Sequence, residues 1–395
     1  MEAGEAEEAP RNPAARVERL TGLTDGKGPV EALKVLKVVW DPEASVYDRS
    51  VEALPHASIY QAFSWGEIRR AQGLVPHRIL VQGGNGEPLA AATWVERPLP
   101  FGRSVLIGAR GPLWAPAHPE AVVRLIEETS ALARECRALS CRLNPAAPAS
   151  PEGIRFLRDL GLRTVLWRHL PFGGTLPVRE WHLALDGTLD RIWQGLNPDH
   201  RRLVRRAHRR GIVVTEGTPG DLPILWKAVR SLARRKGLPM RSERALTEMA
   251  RIWMECGEGL FLLAQRKGRV LGASLSTRFG PEALGHFMAD DGSSRADGVV
   301  HALYWAFLSW AHRLGAKVAN LGGVAAHPGR PGSLAGLETF KRHFGGRPVT
   351  YVGEWDAVFD PGAYRMLRAL ERLVVDEGLV PRLALPAMEI RGRID

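Results

Sequence analysis

The chain has 395 residues, 45% hydrophobic and 25% charged, with Lys+Arg 54 against Asp+Glu 43 and a formal net charge of +11. Such a length and composition predict a globular protein of two domains and exclude a fibrous or wholly disordered chain. No apolar run approaches a membrane span. The three scattered cysteines, Cys136, Cys141 and Cys256, lack metal-ligand spacing and point to a reducing, cytoplasmic setting without a structural metal.

Residues 1–33 are rich in Ala, Glu, Gly, Pro and Arg and show no apolar periodicity. They read as a disordered leader without the apolar stretch of a secretory signal. Glu2, Glu5, Glu7 and Glu8 lie there, so the remainder is more basic than the net charge suggests. Further on, Arg78–Gln82, a Gly-Asn-Gly turn and Pro88–Trp94 form a β-hairpin pattern. A strand at 104–109, a helix over about 119–137, a strand at 139–143 and a short helix ending at Gly161 follow. The same order then returns. Phe261–Gln265, a Lys-Gly turn and Val270–Ser276 form a second hairpin, followed by a strand at 283–290, a helix at 298–314, a strand at 317–321 and a short helix ending at Gly345. Phe156-Leu-Arg158-Asp-Leu160-Gly161-Leu-Arg163-Thr-Val165 aligns with Phe340-Lys341-Arg342-His-Phe344-Gly345-Gly-Arg347-Pro-Val349 at an offset of 184 residues. The pattern describes two tandem acetyltransferase-like (GNAT-like) α/β domains, at 34–180 and 181–360, the first completed by a C-terminal helix within 361–395. Trp305 and Trp310 fit the core face of the 298–314 helix.

Between the repeats lies Asn197-Pro-Asp-His-Arg-Arg-Leu-Val-Arg-Arg-Ala-His-Arg-Arg-Gly211. Asn197 suits an N-cap, Pro198 the first helical position and Gly211 a C-terminal stop. At helical spacing Arg201, Arg202, Arg205, Arg206, Arg209 and Arg210 share one half of the surface, and Leu203, Val204 and Ala207 the other. A guanidinium face with few interleaved acids attracts phosphate, whether in a nucleic acid, a nucleotide or an anionic headgroup.

The repeat also serves as an internal control. Arg342 and Arg347 have counterparts in Arg158 and Arg163, whereas Lys341 replaces Leu157. A lysine at the edge of an apolar face where the sister unit keeps leucine costs stability unless its ammonium meets a partner. Lys341 is therefore a candidate site residue.

Several segments resemble the Fem aminoacyltransferase family, which builds peptidoglycan interpeptide bridges from aminoacyl-tRNA. Tyr60-Gln61-Ala-Phe-Ser-Trp65-Gly-Glu-Ile-Arg69 is similar to its N-terminal Gln-x-x-x-Trp helix, and Arg110-Gly111-Pro112 to its Arg-Gly-Pro strand end. The arginine helix running into Gly211-Ile-Val-Val, and Leu321-Gly322-Gly323 with the Phe340-Lys341-x-x-Phe344-Gly345-Gly346 signature, fit as well, as do the strand into Asp356 and the Pro361-x-x-Tyr364 helix. The resemblance spans about residues 40–370 and implies aminoacyl transfer from aminoacyl-tRNA to an amine of a nucleotide- or lipid-linked peptidoglycan precursor. It also implies no cofactor, and peripheral contact with the inner membrane face if the acceptor is lipid-linked. Its contacts to the precursor diphosphate fall on Arg69 and Arg241, its substrate-facing aromatic on His286 or Phe287, and its signature lysine on Lys341, near the developing oxyanion. Asp290, Asp291, Glu338 and His286 are the candidates for a base, and Asp291 and Glu338 join Lys341 as the catalytic set. Leu113-Trp114-Ala115 stand where acids often follow Arg-Gly-Pro, and Asn320 replaces a common Asp. The heptads of the family's coiled-coil arm are missing.

Two other functions share these features. A coenzyme-A-dependent N-acyltransferase would hold pyrophosphate on a glycine-rich loop at a helix N-terminus. Arg295-Ala-Asp-Gly298-Val-Val300 lies where that loop belongs, yet Val300 stands at the small-residue position. A non-catalytic RNA- or membrane-surface-binding protein would use the arginine helix alone.

Overall fold

The computed structural model describes residues 33, 35–167, 170–236, 240–292, 295–328 and 334–372. The expected leader, except Leu33, and most of the 361–395 segment lie outside them. The described chain divides into two compact units. The first holds the residues up to Trp167 and again from Tyr351 on; the second holds those between, to Thr350.

The first unit is built on β1 (Lys37–Trp40), β2 (Val75–Gln82), β3 (Pro88–Leu99), β4 (Arg103–Gly108), β5 (Leu113–Trp114), β6 (Ala138–Leu143) and β7 (Arg163–Val165). Its helices are α1 (Ala44–Ala53), α2 (Phe63–Ala71), α3 (Pro119–Glu135) and α4 (Pro151–Asp159). In α3, Pro119 opens the helix, and Val122, Val123, Leu125, Ile126, Leu132 and Ala133 form its buried stripe. That stripe packs with Ile79, Trp94, Leu106 and Trp355 in the core of this unit.

The second unit contains β8 (Arg179–Ala184), α5 (Leu189–Gly195), α6 (Pro198–Arg209), β9 (Val213–Glu216), α7 (Leu222–Lys236) and α8 (Glu243–Glu255). There follow β10 (Gly259–Arg266), β11 (Arg269–Phe279), β12 (Glu282–Asp290), α9 (Val299–Arg313), β13 (Val318–Gly323), α10 (Ala335–Arg342) and β14 (Arg347–Thr350). The chain then returns to the first unit as β15 (Glu354–Val358) and α11 (Pro361–Glu371).

The sheets have one design. The first runs β1-β2-β3-β4-β6-β15-β7 and the second, read from its other edge, β9-β10-β11-β12-β13-β8-β14. In both, neighbours are antiparallel except the fourth and fifth strands, β4 with β6 and β12 with β13. The sixth strand of each sheet comes from across the sequence. β15 follows the second unit yet pairs with β6 and β7, and β8 precedes β9 yet pairs with β13 and β14. The breaks accordingly fall at 167 and 351, earlier than the expected 180 and 360, because each crossing segment carries a strand of the sheet that it enters.

The arginine helix α6 forms as its sequence dictates, with Asn197 Oδ1 accepting the Asp199 amide at 2.9 Å and Gly211 at φ 73° just beyond its end. Its buried face differs from the expected one: His200 joins Val204 and Ala207, while Leu203 is half-exposed. The reason lies in α9. A Cβ on Gly298, just before α9, would stand 2.3 Å from the Leu203 carbonyl oxygen. Only glycine lets the α6 backbone come so close there.

Candidate active site

The parallel pairing of β12 with β13 joins Glu282, Ala283 and Leu284 to Val318, Ala319 and Asn320 and ends there. The corresponding pairing in the first unit runs one residue further, to Gly108 with Leu143. Beyond Leu284, β12 keeps its partner β11, and beyond Asn320, β13 rejoins β8 at Gly323. The parting of the two strands is where the chemically distinctive groups of this unit collect.

On β12, Leu275 pairs with Phe287 and Ser276 with Gly285, so His286 is the extra residue of a β-bulge. A bulge re-aims its side chain. The imidazole stacks on Trp253 of α8, with ring centroids 4.4 Å apart, and its Nε2 lies 2.8 Å from Thr277 Oγ1. Burial, and then the Arg241 cation, lower its pKa to about 3 against the opposing Glu180 charge. His286 is therefore neutral at physiological pH, and Phe287 is its neighbour at 6.5 Å between ring centroids.

Lys341 arrives from α10. It is not at the edge of an apolar face but only 4% exposed. Its Nζ donates to the Gly323 carbonyl at 2.6 Å, so the ammonium stands at the end of β13. Burial lowers its pKa to about 7, with the Glu180 carboxylate acting in the opposite direction. Glu180 lies on β8, is itself buried, and accepts the Asn320 side-chain amide at 2.7 Å. One carboxylate thus acts on both Lys341 and His286.

The sheet registers give this cluster an internal comparison. Val165 and Val349 are equivalent in the repeat; Val165 pairs with Glu354, and Val349 with Glu180. The two glutamates therefore hold the same position, as do Arg142 and Asn320 on the adjoining strands. In the first unit, Glu354 accepts Trp167 Nε1 at 2.5 Å. Arg142 is held by Asp356 at 2.9 Å and by Glu371 at 2.8 Å. A neutralised arginine network and the apolar Leu157 fill this place in the first unit. The second has a lysine, a neutral histidine and the smaller asparagine.

The remaining expected residues are distributed as follows. Glu338 lies between Arg179 (3.3 Å) and Arg342 (3.7 Å), tying α10 to β8. Asp291 follows β12 and pairs with Arg269 at 3.0 Å, and Asp290 pairs with Arg235 at 2.7 Å. Arg241 precedes α8 in the second unit. Arg69 belongs to the first unit, on α2, where it donates to Gln72 Oε1 at 2.5 Å. On α6, Arg201 donates to the Gln194 carbonyl at 2.9 Å, Arg202 pairs with Asp199 at 3.1 Å, and Arg205 lies 5.5 Å from the Trp193 ring. Arg202, Arg205 and Arg209 are exposed, and Arg206 is half-buried. Glu180, Thr277 and Trp253 are members of the cluster that sequence patterns miss. A signal for Glu180 exists, since Glu180-Trp181 repeats Glu354-Trp355, but it stands on the other side of its repeat. Among the described residues, no group of three or more His, Cys, Asp or Glu is placed to hold a metal ion.

Both units are GNAT-like, and residues 198–342 match the acetyltransferase (GNAT) domain family model. The tandem pair as a whole has the fold of FemX. That crystal structure superposes with a TM-score of 0.77 at 16% identity, covering 84% of this chain and 99% of that chain. L-PGS from Bacillus licheniformis is similar at a TM-score of 0.50 and 14% identity, covering 85% of this chain and 97% of that chain. No curated protein matches by sequence.

Proposed function

We propose that this chain is an acyltransferase that moves an aminoacyl group from aminoacyl-tRNA to an amine of a peptidoglycan precursor. The single observation that carries the reading is the buried Lys341 ammonium. It stands where β12 and β13 part, at a helix position that the sister unit fills with leucine. The fold of FemX and the Fem-like motifs supply the choice of donor and acceptor.

An aminoacyl ester is already activated, so the site must orient the amine, accept its proton and stabilise the tetrahedral oxyanion. The amine nitrogen bonds to the ester carbonyl carbon, the carbon–oxygen bond to the ribose breaks, and the amine proton ends on the leaving ribose oxygen. One N–H of Lys341 is used on the Gly323 carbonyl; an ammonium has three, and the others serve the oxyanion. Glu180 favours the charged form that this role needs. His286, neutral and stacked on Trp253, serves as a positioning surface, with Phe287 beside it. Arg241 and Arg69 bind precursor phosphates, and the guanidinium face of α6 binds tRNA. Asp291 and Glu338 are the acids named for proton transfer, and the ion pairs of Glu338 favour a role in holding α10. The reaction suits a cytoplasmic protein, where charged tRNA is available.

The coenzyme-A reading is weakened at one point. The glycine that would open its pyrophosphate loop, Gly298, is needed for the approach of the Leu203 backbone. The test is direct: purified protein with charged tRNA pools and candidate precursors, run beside acetyl-CoA. Transfer from charged tRNA alone supports the assignment; use of acetyl-CoA with no use of charged tRNA ends it.

A further inference from the structure

The hairpin joining β3 to β4 ends in Pro98-Leu99-Pro100-Phe101-Gly102. Phe101 is 93% exposed, at φ 63°. A bulky residue with positive φ is strained, so neither local backbone preference nor burial explains it. The second unit shows that the fold does not require it. There the equivalent hairpin closes from Phe279 to Glu282 through Gly280 and Pro281, one residue shorter, and Phe279 is 4% exposed.

The surroundings of Phe101 are cationic. Arg137 Nη1 lies 3.5 Å from where a Cβ on Gly102 would be, and Arg103 donates to the Arg137 carbonyl at 3.1 Å. Arg134 and Arg137 are exposed, with Glu135 the acid between them. Arg103 also pairs at 2.6 Å with Asp360, the N-cap of α11. The outward face of α11 carries Met366 and Leu370, 71% and 56% exposed, flanked by exposed Arg365 and Arg372.

From this arrangement we infer that the β3–β4 tip is a peripheral docking element for an anionic lipid surface. A convex tip of proline, leucine and phenylalanine offers apolar surface without side-chain hydrogen bonds. Hydrocarbon below a headgroup layer accepts such a tip, and the arginines match anionic headgroups. No helix of the described residues is long and apolar enough to cross a membrane, so the attachment is by one aromatic wedge and a few charges. It is reversible and sensitive to salt.

The experiment is sedimentation of the full chain with vesicles of phosphatidylcholine alone and of phosphatidylcholine mixed in equal parts with phosphatidylglycerol. The wild type is expected to sediment with the mixed vesicles and far less with the neutral ones. Phe101→Ser is expected to lower partitioning by about tenfold or more, the effect of withholding one phenylalanine from hydrocarbon. The double variant Arg134→Glu, Arg137→Glu is expected to lose the preference for phosphatidylglycerol. All three substitutions are at exposed positions, and both variants are expected to melt as the wild type does. Equal binding of wild type and Phe101→Ser overturns the inference, as does a wild type that ignores both kinds of vesicle. A Phe101→Ser variant that changes oligomeric state without changing vesicle binding also overturns it, in favour of contact between copies. The readout involves no transfer reaction, so it stands or falls apart from the proposed activity.

Discussion

Lys341 and Leu157 occupy the same position on equivalent helices, and both are buried, at 4% and 1% exposed. One fold thus carries an ammonium and an isobutyl group at one site, and the difference isolates what the lysine contributes. Lys341→Met should fold, and aminoacyl transfer should fall by ~10²–10³, the usual cost of removing an oxyanion donor. The loss should appear in kcat with charged tRNA as donor. Transfer at the wild-type rate would remove Lys341 from the site.

Stability should respond in the opposite direction, and with a pH signature. The pKa of Lys341 is about 7 in the folded chain against an ordinary 10.5. Between these values the unfolded chain binds the extra proton, so wild-type stability attributable to this group rises with pH. Lys341→Met should therefore be more stable than wild type at and below neutrality, by about 1–4 kcal/mol. The advantage should shrink as pH approaches the ordinary lysine value. Denaturant titrations across that range measure it; an advantage that does not change with pH contradicts the buried-ammonium account.

Glu180→Gln should act through Lys341. The glutamate raises the lysine pKa, so removing its charge should move the alkaline limb of the kcat profile to lower pH. Transfer should recover in part on the acidic side. A uniform loss at every pH would mean that Glu180 serves only as the partner of Asn320.

Acid should destabilise the second unit through its buried histidines. His200, His301 and His286 are lowered from 6.5 to about 3, 4 and 3, in each case chiefly by burial. Below pH 6.5 the unfolded chain gains protons that the folded chain refuses, so stability falls progressively toward pH 4. His200 lies among His301, His343, Phe340 and Phe344, with centroids 4.4–5.2 Å away. His200→Phe should flatten that limb in thermal melts; an unchanged acid limb would rule His200 out as its source.

Reversing Arg202, Arg206 and Arg209 to Glu should weaken tRNA binding, and wild-type binding should fall steeply with salt. Filter binding over a salt series reads both. Binding that ignores salt and the triple variant alike would leave α6 as a solvated face.

The pattern of hairpin, long helix, strand and short helix was legible twice over because apolar periodicity and turn residues report local structure. Lys341 was legible because the repeat set it beside Leu157. The depth of its burial was not: an α10 face with Leu337, Phe340 and Phe344 suggests an edge for position 341, and only the packing against β13 closes over it. His286 stood out as one of two neighbouring residues. The bulge that sets it apart from Phe287 is a matter of cross-strand register, which periodicity does not report. Glu180 escaped because its equivalent, Glu354, lies at the far end of the chain.

That displacement sets an order of assembly. Every strand of the second sheet lies within residues 179–350, so this unit can close as soon as its own segment has been synthesised. The first sheet must wait for β15, which is inserted between β6 and β7. Chains emerge N-terminus first, yet here the N-terminal half is the last to be finished, holding an open sheet between β6 and β7 while the second unit matures.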